Sequence, residues 1–324
     1  MFRLKIVPDD TAINFMRPWK FTFGLSMALV VASIVVFFTI GLNFGIDFRG
    51  GTSIRSEATQ AVDIGAYREA IAPLGLGDVS ISEVFDPTYG PERNVAMIRI
   101  QAQGDGDAVP PALLSQVEAA LQTHDATLHF TSVESVGPKV SGELVQDALL
   151  AVMTALGAIL IYIWLRFEWQ FALGAVAALV HDLILTIGIF VVLQLRFDLT
   201  TIAALLTIVG YSINDTVVVF DRVRENLIKY KQRDVAEVMN LSLNETLTRT
   251  LMTSFTTLIA LIALFLLGGD VIRGFVFAMI WGVVVGTWSS VYVAAVIVKF
   301  LGVKRDFGKG GDKAGTQFAT SDGQ

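Results

Sequence analysis

The residues of this 324-residue chain best placed to do chemistry are ionisable side chains inside long apolar runs. Asp215, with Asn214 beside it, falls within the run 199–221, and Asp221 follows six residues later, about 9 Å of helical rise away. An ionised carboxylate at mid-membrane costs about 2.5–3.5 kcal/mol on insertion scales, so Asp215 must be paired, face a water-filled cavity or carry a proton. Arg249, near the start of the following apolar run, is the partner expected if the two helices are antiparallel neighbours. Arginine does not deprotonate in any useful range, so within such a pair only the aspartate can carry a proton, while the arginine sets its affinity. The pair therefore permits a transmembrane proton path; the blander alternative is a static ion pair that fixes helix register.

His181 and Asp182 sit near the middle of another apolar run. Neighbours on a helix point about 100° apart, so these two are read as separate polar contacts, either members of a relay or helix-to-helix hydrogen bonds. Gly282, Gly286, Ser290 and Ala294 recur every four residues in the last run, a small-residue face that lets another helix approach closely. Gly210-Tyr211-Ser212-Ile213-Asn214 has the look of a nucleophile elbow, but it lacks the second glycine of G-x-S-x-G and a strand–turn–helix setting, which argues against an intramembrane hydrolase. No G-x-x-x-x-G-K-[ST] loop and no G-x-G-x-x-G after a strand is present, so no phosphate cradle, cofactor or metal is expected. An ion gradient is then the simplest energy supply, since one elementary charge moved through 100 mV yields about 2.3 kcal/mol.

The elements that must position these residues follow from composition and periodicity. The chain is 53% hydrophobic and 17% charged, with a mean hydropathy of +0.62, whereas soluble domains average about 25% charged. A formal charge of −6 offers no basic field for nucleic acid. With no cysteine there is no disulfide framework, zinc thiolate or thiol nucleophile. Apolar stretches of about 20 residues, the length that crosses a hydrocarbon layer, occur at 21–42, 146–165, 170–194, 199–221, 250–268 and 274–299. The chain reads as a polytopic α-helical membrane protein with six transmembrane helices. The first run is too long for a signal peptide and no A-x-A site follows it, so it is expected to remain as an anchor.

Basic residues cluster before the first run (Arg3, Lys5, Arg17, Lys20), after the fourth (Arg222, Arg224, Lys229, Lys231, Arg233) and in the tail (Lys304, Arg305, Lys309, Lys313). The short turns on the other side contain Arg196 and Arg273 alone, so both termini, 1–20 and 300–324, are expected in the cytoplasm and residues 43–140 outside it. Within 43–140, strand-like runs at 52–57, 79–85, 94–101 and 127–135 enclose helical patterns at 62–73 and 111–123, the β-α-β-β-α-β order of a small α+β ferredoxin-like domain. Pro110-Pro111 suits the start of the second helix, while Gly75-Leu76-Gly77 and Asp86-Pro87 mark turns. His124 and His129 read as surface or strand residues, not ligands. The stretch 222–248, with Val235, Val238, Met239 and Leu241 apolar among charges, is expected as an amphipathic segment on the inner membrane surface or a solvated loop. Gly308–Gln324 is polar, Gly-rich and expected to be disordered.

Several long segments in a fixed order resemble the SecF family: GIDFRGGT (45–52), VGPKVSGEL (136–144), HDLILTIG (181–188), GYSINDTVVVFDRVREN (210–226), NETLTRTLMTSFTTL (244–258) and GTWSSVYVA (286–294). The similarity runs from the first span to about Val303, and the external region of about 100 residues is nearer the size found in SecF than the much larger one of SecD. The resemblance implies a six-span, RND-like membrane domain with a ferredoxin-like periplasmic domain, pseudosymmetric with a separate SecD subunit in the bacterial inner membrane. It further implies that such a subunit uses the proton motive force to help preproteins finish their passage after SecA threads them through SecYEG, with YajC as a further partner. By motif position, Asp215 and Arg249 match the family's polar pair for proton movement, alongside an aspartate from SecD; His181 and Asp182 match a motif of no assigned role. An RND-type exporter of small molecules or lipids and a purely structural scaffold are the competing readings.

Overall fold

A computed structural model describes residues 11–84, 94–101 and 109–303. Arg3, Lys5, the turn at Asp86-Pro87, the basic residues from Lys304 onward and the tail Gly308–Gln324 lie outside the described residues. Among the described residues six helices are long and apolar enough to cross a membrane. They are α1 (Trp19–Thr39), α5 (Pro138–Arg166), α6 (Trp169–Val192), α7 (Leu199–Lys229), α8 (Val235–Leu267) and a final helix in which α9 (Asp270–Ser289) passes through a π-turn (Ser290–Ala294) into α10 (Ala295–Leu301). Buried residues concentrate on α6, α7 and the last helix, whereas α1, α5 and α8 present most of their apolar surface outward. That outward surface is what a hydrocarbon solvent or a second helical bundle requires.

Between α1 and α5 stands the extramembrane domain: β1 (Asn43–Phe44), α2 (Ile46–Arg49), β2 (Gly51–Ala58), α3 (Ile64–Ile71), β3 (Val79–Val84), β4 (Asn94–Gln101), α4 (Pro111–Gln122) and β5 (His129–Val136). Strands β3-β4-β2-β5 form an antiparallel sheet in the ferredoxin-like order. Register places Ile81 opposite Ile98 and Ile98 opposite Ile54, so one face carries a row of apolar side chains. Tyr67 and Ile71 of α3 and Val117 and Leu121 of α4 cover that row to make the domain core. Asp63 caps α3 by accepting from Ala66 N at 3.0 Å, and Pro111 occupies the first turn of α4, where its missing N–H costs nothing. His129 lies on β5, 3.8 Å from Glu57, and the His124 ring meets Tyr67 edge-on at 6.0 Å.

Asp125 ties the end of α4 to the loop after β2. Its carboxylate accepts from Thr127 N (2.8 Å), Thr127 Oγ1 (2.7 Å) and Gln60 N (3.1 Å). Burial disfavours the charged form, but these hydrogen bonds outweigh it and hold the carboxyl below its usual range. Because the folded value is depressed, the contribution is complete above the unfolded value of about 4 and is lost as pH falls through the folded one. Asp125→Asn should therefore lower the domain's melting temperature at neutral pH and shrink the acid-side loss of stability; an unchanged acid melting curve would show that the carboxylate is not the source.

Sequence patterns missed the joint between the domain and the bundle. Strand β1 pairs in parallel with β6 (Arg196–Phe197), the short segment between α6 and α7, with Phe44 opposite Phe197. Phe44, Phe48 and Phe190 pack around Phe197 with ring centroids 5.9–6.2 Å away. A two-residue strand carries no alternation to detect, so only the folded chain reveals it. Gly50 (φ 74°) and Gly51 (φ 134°) then turn α2 into β2 in a backbone region that side-chain-bearing residues rarely adopt.

The stretch 222–248 is neither a surface-lying segment nor a loop. Residues 222–229 end α7, residues 235–248 begin α8, and a short turn at 230–234 joins them. The two helices have 31 and 33 residues, so at 1.5 Å per residue both outrun a hydrocarbon layer of about 30 Å. Their overhanging ends pack through buried Val238 and Met239 and through Arg222, which donates to Glu245 and Glu225 at 2.6 Å each. Asn240 and Asn244 of α8 also hold the chain N-terminal to α1, bonding Met16 N and Ile13 N at 2.9 Å.

Candidate functional site

Midway along the bundle, α6, α7 and α9 bring their polar side chains into one buried cluster. Asp182 of α6 is 1% exposed and accepts from Ser212 Oγ of α7 at 2.6 Å and from Ser289 Oγ of α9 at 2.8 Å, both on Oδ2. Its other oxygen, Oδ1, lies 2.9 Å from His181 Nδ1. The expectation of two separate contacts is thus corrected: the 100° offset separates the Cα–Cβ directions, but the imidazole is long enough to swing back onto its neighbour's carboxylate. His181 Nε2 is buried without a hydrogen-bond partner. Ser212 occupies the middle of α7 and directs its hydrogen to Asp182, a setting unlike an elbow nucleophile.

Close packing places these groups. A Cβ on Gly286 would meet Ser212 Cβ at 3.1 Å, and one on Gly282 would run into the Ile208 side chain, with Cδ1 at 2.6 Å. The small-residue face of the last helix therefore receives α7. Further along it, Ala294 O lies 3.1 Å from where a Cβ on Gly174 of α6 would stand. Ser290 and Ala294 are both buried within the π-turn. Sequence reasoning found the small residues at spacing four but missed Ser289 and Ser212 as hydrogen-bond donors; the adjacent serines of GTWSS were the available signal.

Asp215 lies one turn beyond Ser212 on the same face of α7, 3% exposed, and its Oδ2 has no hydrogen-bond partner. Arg249 is exposed on α8, near enough for its charge to act on Asp215. Among the described residues Asp215 forms no ion pair within 4 Å, so the expected direct contact with Arg249 is not made. The reason is geometric: Asp215 is on the inward face of α7 and Arg249 on the outward face of α8. Asn214, adjacent to Asp215, is turned outward on an exposed face of α7 shared with Ala203, Thr207 and Gly210. Beside Gly210 a Cβ would meet nothing within 4 Å. A small and polar stripe of this kind is poorly matched to lipid tails and well matched to another helix.

Residues 116–304 match the family described as protein export membrane protein SecD/SecF, C-terminal, and residues 35–62 match the SecD/SecF GG motif, which includes the Gly50-Gly51 turn. The chain belongs to the SecD/SecF family. It is 61% identical to protein translocase subunit SecF of Cereibacter sphaeroides, over 99% of both chains. To the SecF of Vibrio alginolyticus it is 41% identical over 93% of this chain and 94% of that one. Among solved structures it is similar to SecDF of Thermus thermophilus, titled a translocon-associated membrane protein, with a TM-score of 0.80 and 35% identity over 90% of this chain. The chain spans only 39% of that SecDF chain. Against SecDF in the super-membrane-facing form the TM-score is 0.67 at 36% identity.

Proposed function

We propose that this chain is the SecF-type subunit of the preprotein translocase, acting with SecD in the bacterial inner membrane to draw on the proton motive force for export. The observation that carries the reading is Asp215: a carboxyl buried halfway through a membrane bundle, with an oxygen left without a partner and the charge of Arg249 nearby. A group so placed is expensive unless it is protonated or finds a cation at some stage of a cycle. The outward stripe of Thr207, Gly210 and Asn214 supports a second bundle docking there, and in this reading an aspartate of SecD acts together with Arg249. SecYEG, the translocating preprotein and YajC are the further partners in this reading. Both termini lie in the cytoplasm and residues 43–140 in the periplasm, in keeping with Arg222, Arg224 and Lys229 at one end of the bundle and Arg196 and Arg273 at the other.

In this cycle protonation changes the charge balance between two bundles, biases a two-state packing and moves the attached domain. Membranes depleted of this chain should lose gradient-stimulated export of a secreted reporter while keeping ATP-driven threading, and SecD should co-purify with the tagged chain. Gradient-stimulated export that persists in depleted membranes would defeat the proposal. A sharper test is Arg249→Lys, which keeps the charge but loses the planar fork. In a cycle in which the fork holds a carboxylate, losing that charge-assisted hydrogen bond, worth about 1.5–3 kcal/mol, predicts a fall in export rate of about tenfold or more. A normal rate would make the role of Arg249 purely that of a charge.

A further inference from the structure

The His181–Asp182 pair is more than a packing contact, because its charges do not balance unless it holds a proton. Asp182 accepts from Ser212 Oγ and Ser289 Oγ on one oxygen, and in the Nδ1–H tautomer of His181 it accepts from Nδ1 on the other, a donor set that suits an ionised carboxylate. With a neutral imidazole the pair would be a buried net negative charge, at 2% and 1% exposure, in the middle of a membrane bundle. With a proton on His181 Nε2, the ring nitrogen that has no partner, it becomes a neutral imidazolium–carboxylate pair. Among the described residues no Lys or Arg pairs with either side chain. Of the elements packed on α6, α1 has no charged side chain from Phe21 to Thr39, and α5 carries Asp147 near its start and no charge from Ala148 to Leu165. The last helix contributes Arg273 and Lys299 near its ends and Tyr292 in the π-turn. From α7 come Asp215 at mid-bundle and Asp221 to Lys229 in its final turns.

We propose that His181 and Asp182 form a second proton-holding site of the membrane domain, coupled to Asp215 through Ser212. The coupling is short: Ser212 Oγ is 2.6 Å from Asp182, and Asp215 is three residues further along the same helix, a spacing that places side chains about 5–6 Å apart. Taking up a proton from hydronium forms the Nε2–H bond, breaks one O–H bond of the donor, which leaves as water, and changes the pair's net charge from −1 to 0. Losing it strengthens the demand of Asp182 for both serine hydrogens, drawing α7 and α9 onto α6 next to the Ser290–Ala294 π-turn, a type of irregularity often found at functional sites. The proposal rests on the proton-coupled reading above, and its test is chosen to stand apart from that reading.

The chain has three histidines, and the other two lie in the extramembrane domain. In the full-length chain carrying His124→Gln and His129→Gln, assembled with SecD in lipid bilayers, the remaining ring can be followed by nitrogen-15 NMR. Nδ1 should stay protonated throughout, the Nε2 resonance should respond to pH, Asp182→Asn should abolish the tautomer preference, and Asp215→Asn should shift where that response occurs. A neutral ring protonated at Nε2, a resonance that does not respond to pH, or a midpoint indifferent to Asp215 would each overturn the proposal. His181→Asn supplies the functional arm, because its amide can still donate to Asp182 but cannot take up a proton. Complex assembly should be retained and the pH dependence of gradient-driven export flattened; a wild-type pH profile would overturn the coupling. Normal export in Asp215→Asn would instead defeat the export reading, leaving the NMR result to decide the dyad by itself.

Discussion

Asp215→Asn should leave the assembled complex intact and remove gradient-dependent export. The substitution is nearly isosteric and the carboxyl makes no hydrogen bond that the fold depends on, so folding and SecD binding should survive. What is lost is the ability to gain and release a proton at a buried position. One charge moved through 100 mV is worth about 2.3 kcal/mol, so removing one coupled proton per step should reduce the gradient's bias on export about fifty-fold. The measurement is export of a secreted reporter in inverted membrane vesicles with and without an imposed gradient, alongside co-purification of SecD. Proton-driven secretion at the wild-type rate would leave this subunit without its carrier.

Gly282→Ala should be among the damaging single-methyl changes in the bundle. The added Cβ would fall against Cγ1, Cδ1 and Cγ2 of Ile208, a β-branched side chain that cannot rotate out of the way. Overpacking of this kind costs about 1–3 kcal/mol. Because Ile208 is one turn from Ser212, forcing α7 from α9 should also loosen the bonds that Ser212 and Ser289 make to Asp182. Trimming the obstacle provides the control: in a double-mutant cycle, Ile208→Ala should relieve the Gly282→Ala penalty, with a coupling of about 0.5–3 kcal/mol. Thermal unfolding in detergent, with SecD retention as a second readout, measures it. Additive effects would mean that the two helices do not meet at this point.

The bundle and the domain differ in how much of them can be read from the chain. Six apolar runs announce the spanning helices because a membrane leaves no other way to satisfy backbone hydrogen bonds. The strands of the extramembrane domain are legible because Ile54 and Ile81 stand between polar neighbours and Ile98 and Ile100 flank Arg99 at period two. Residues 222–248 misled, since a membrane helix that continues past the hydrocarbon layer turns amphipathic and loses the apolar signal without ceasing to be a helix.

The identity of the polar residues was likewise determined by sequence alone: Asp215, Asn214, Arg249, His181 and Asp182 stand out because charge and amide groups are costly in an apolar run. Which of them meet was decided by tertiary structure. Helical rotation turned Asp215 inward and Asn214 outward, kept Arg249 from direct contact, and joined His181 to Asp182. Glycines at 282 and 286 then let α7 come close enough for two serines from different helices to share one carboxylate oxygen. Periodicity reports which side of a helix a residue occupies, but partners are set by the crossing of helices whose facing surfaces are all similarly apolar, and that crossing depends on contacts distant in the chain.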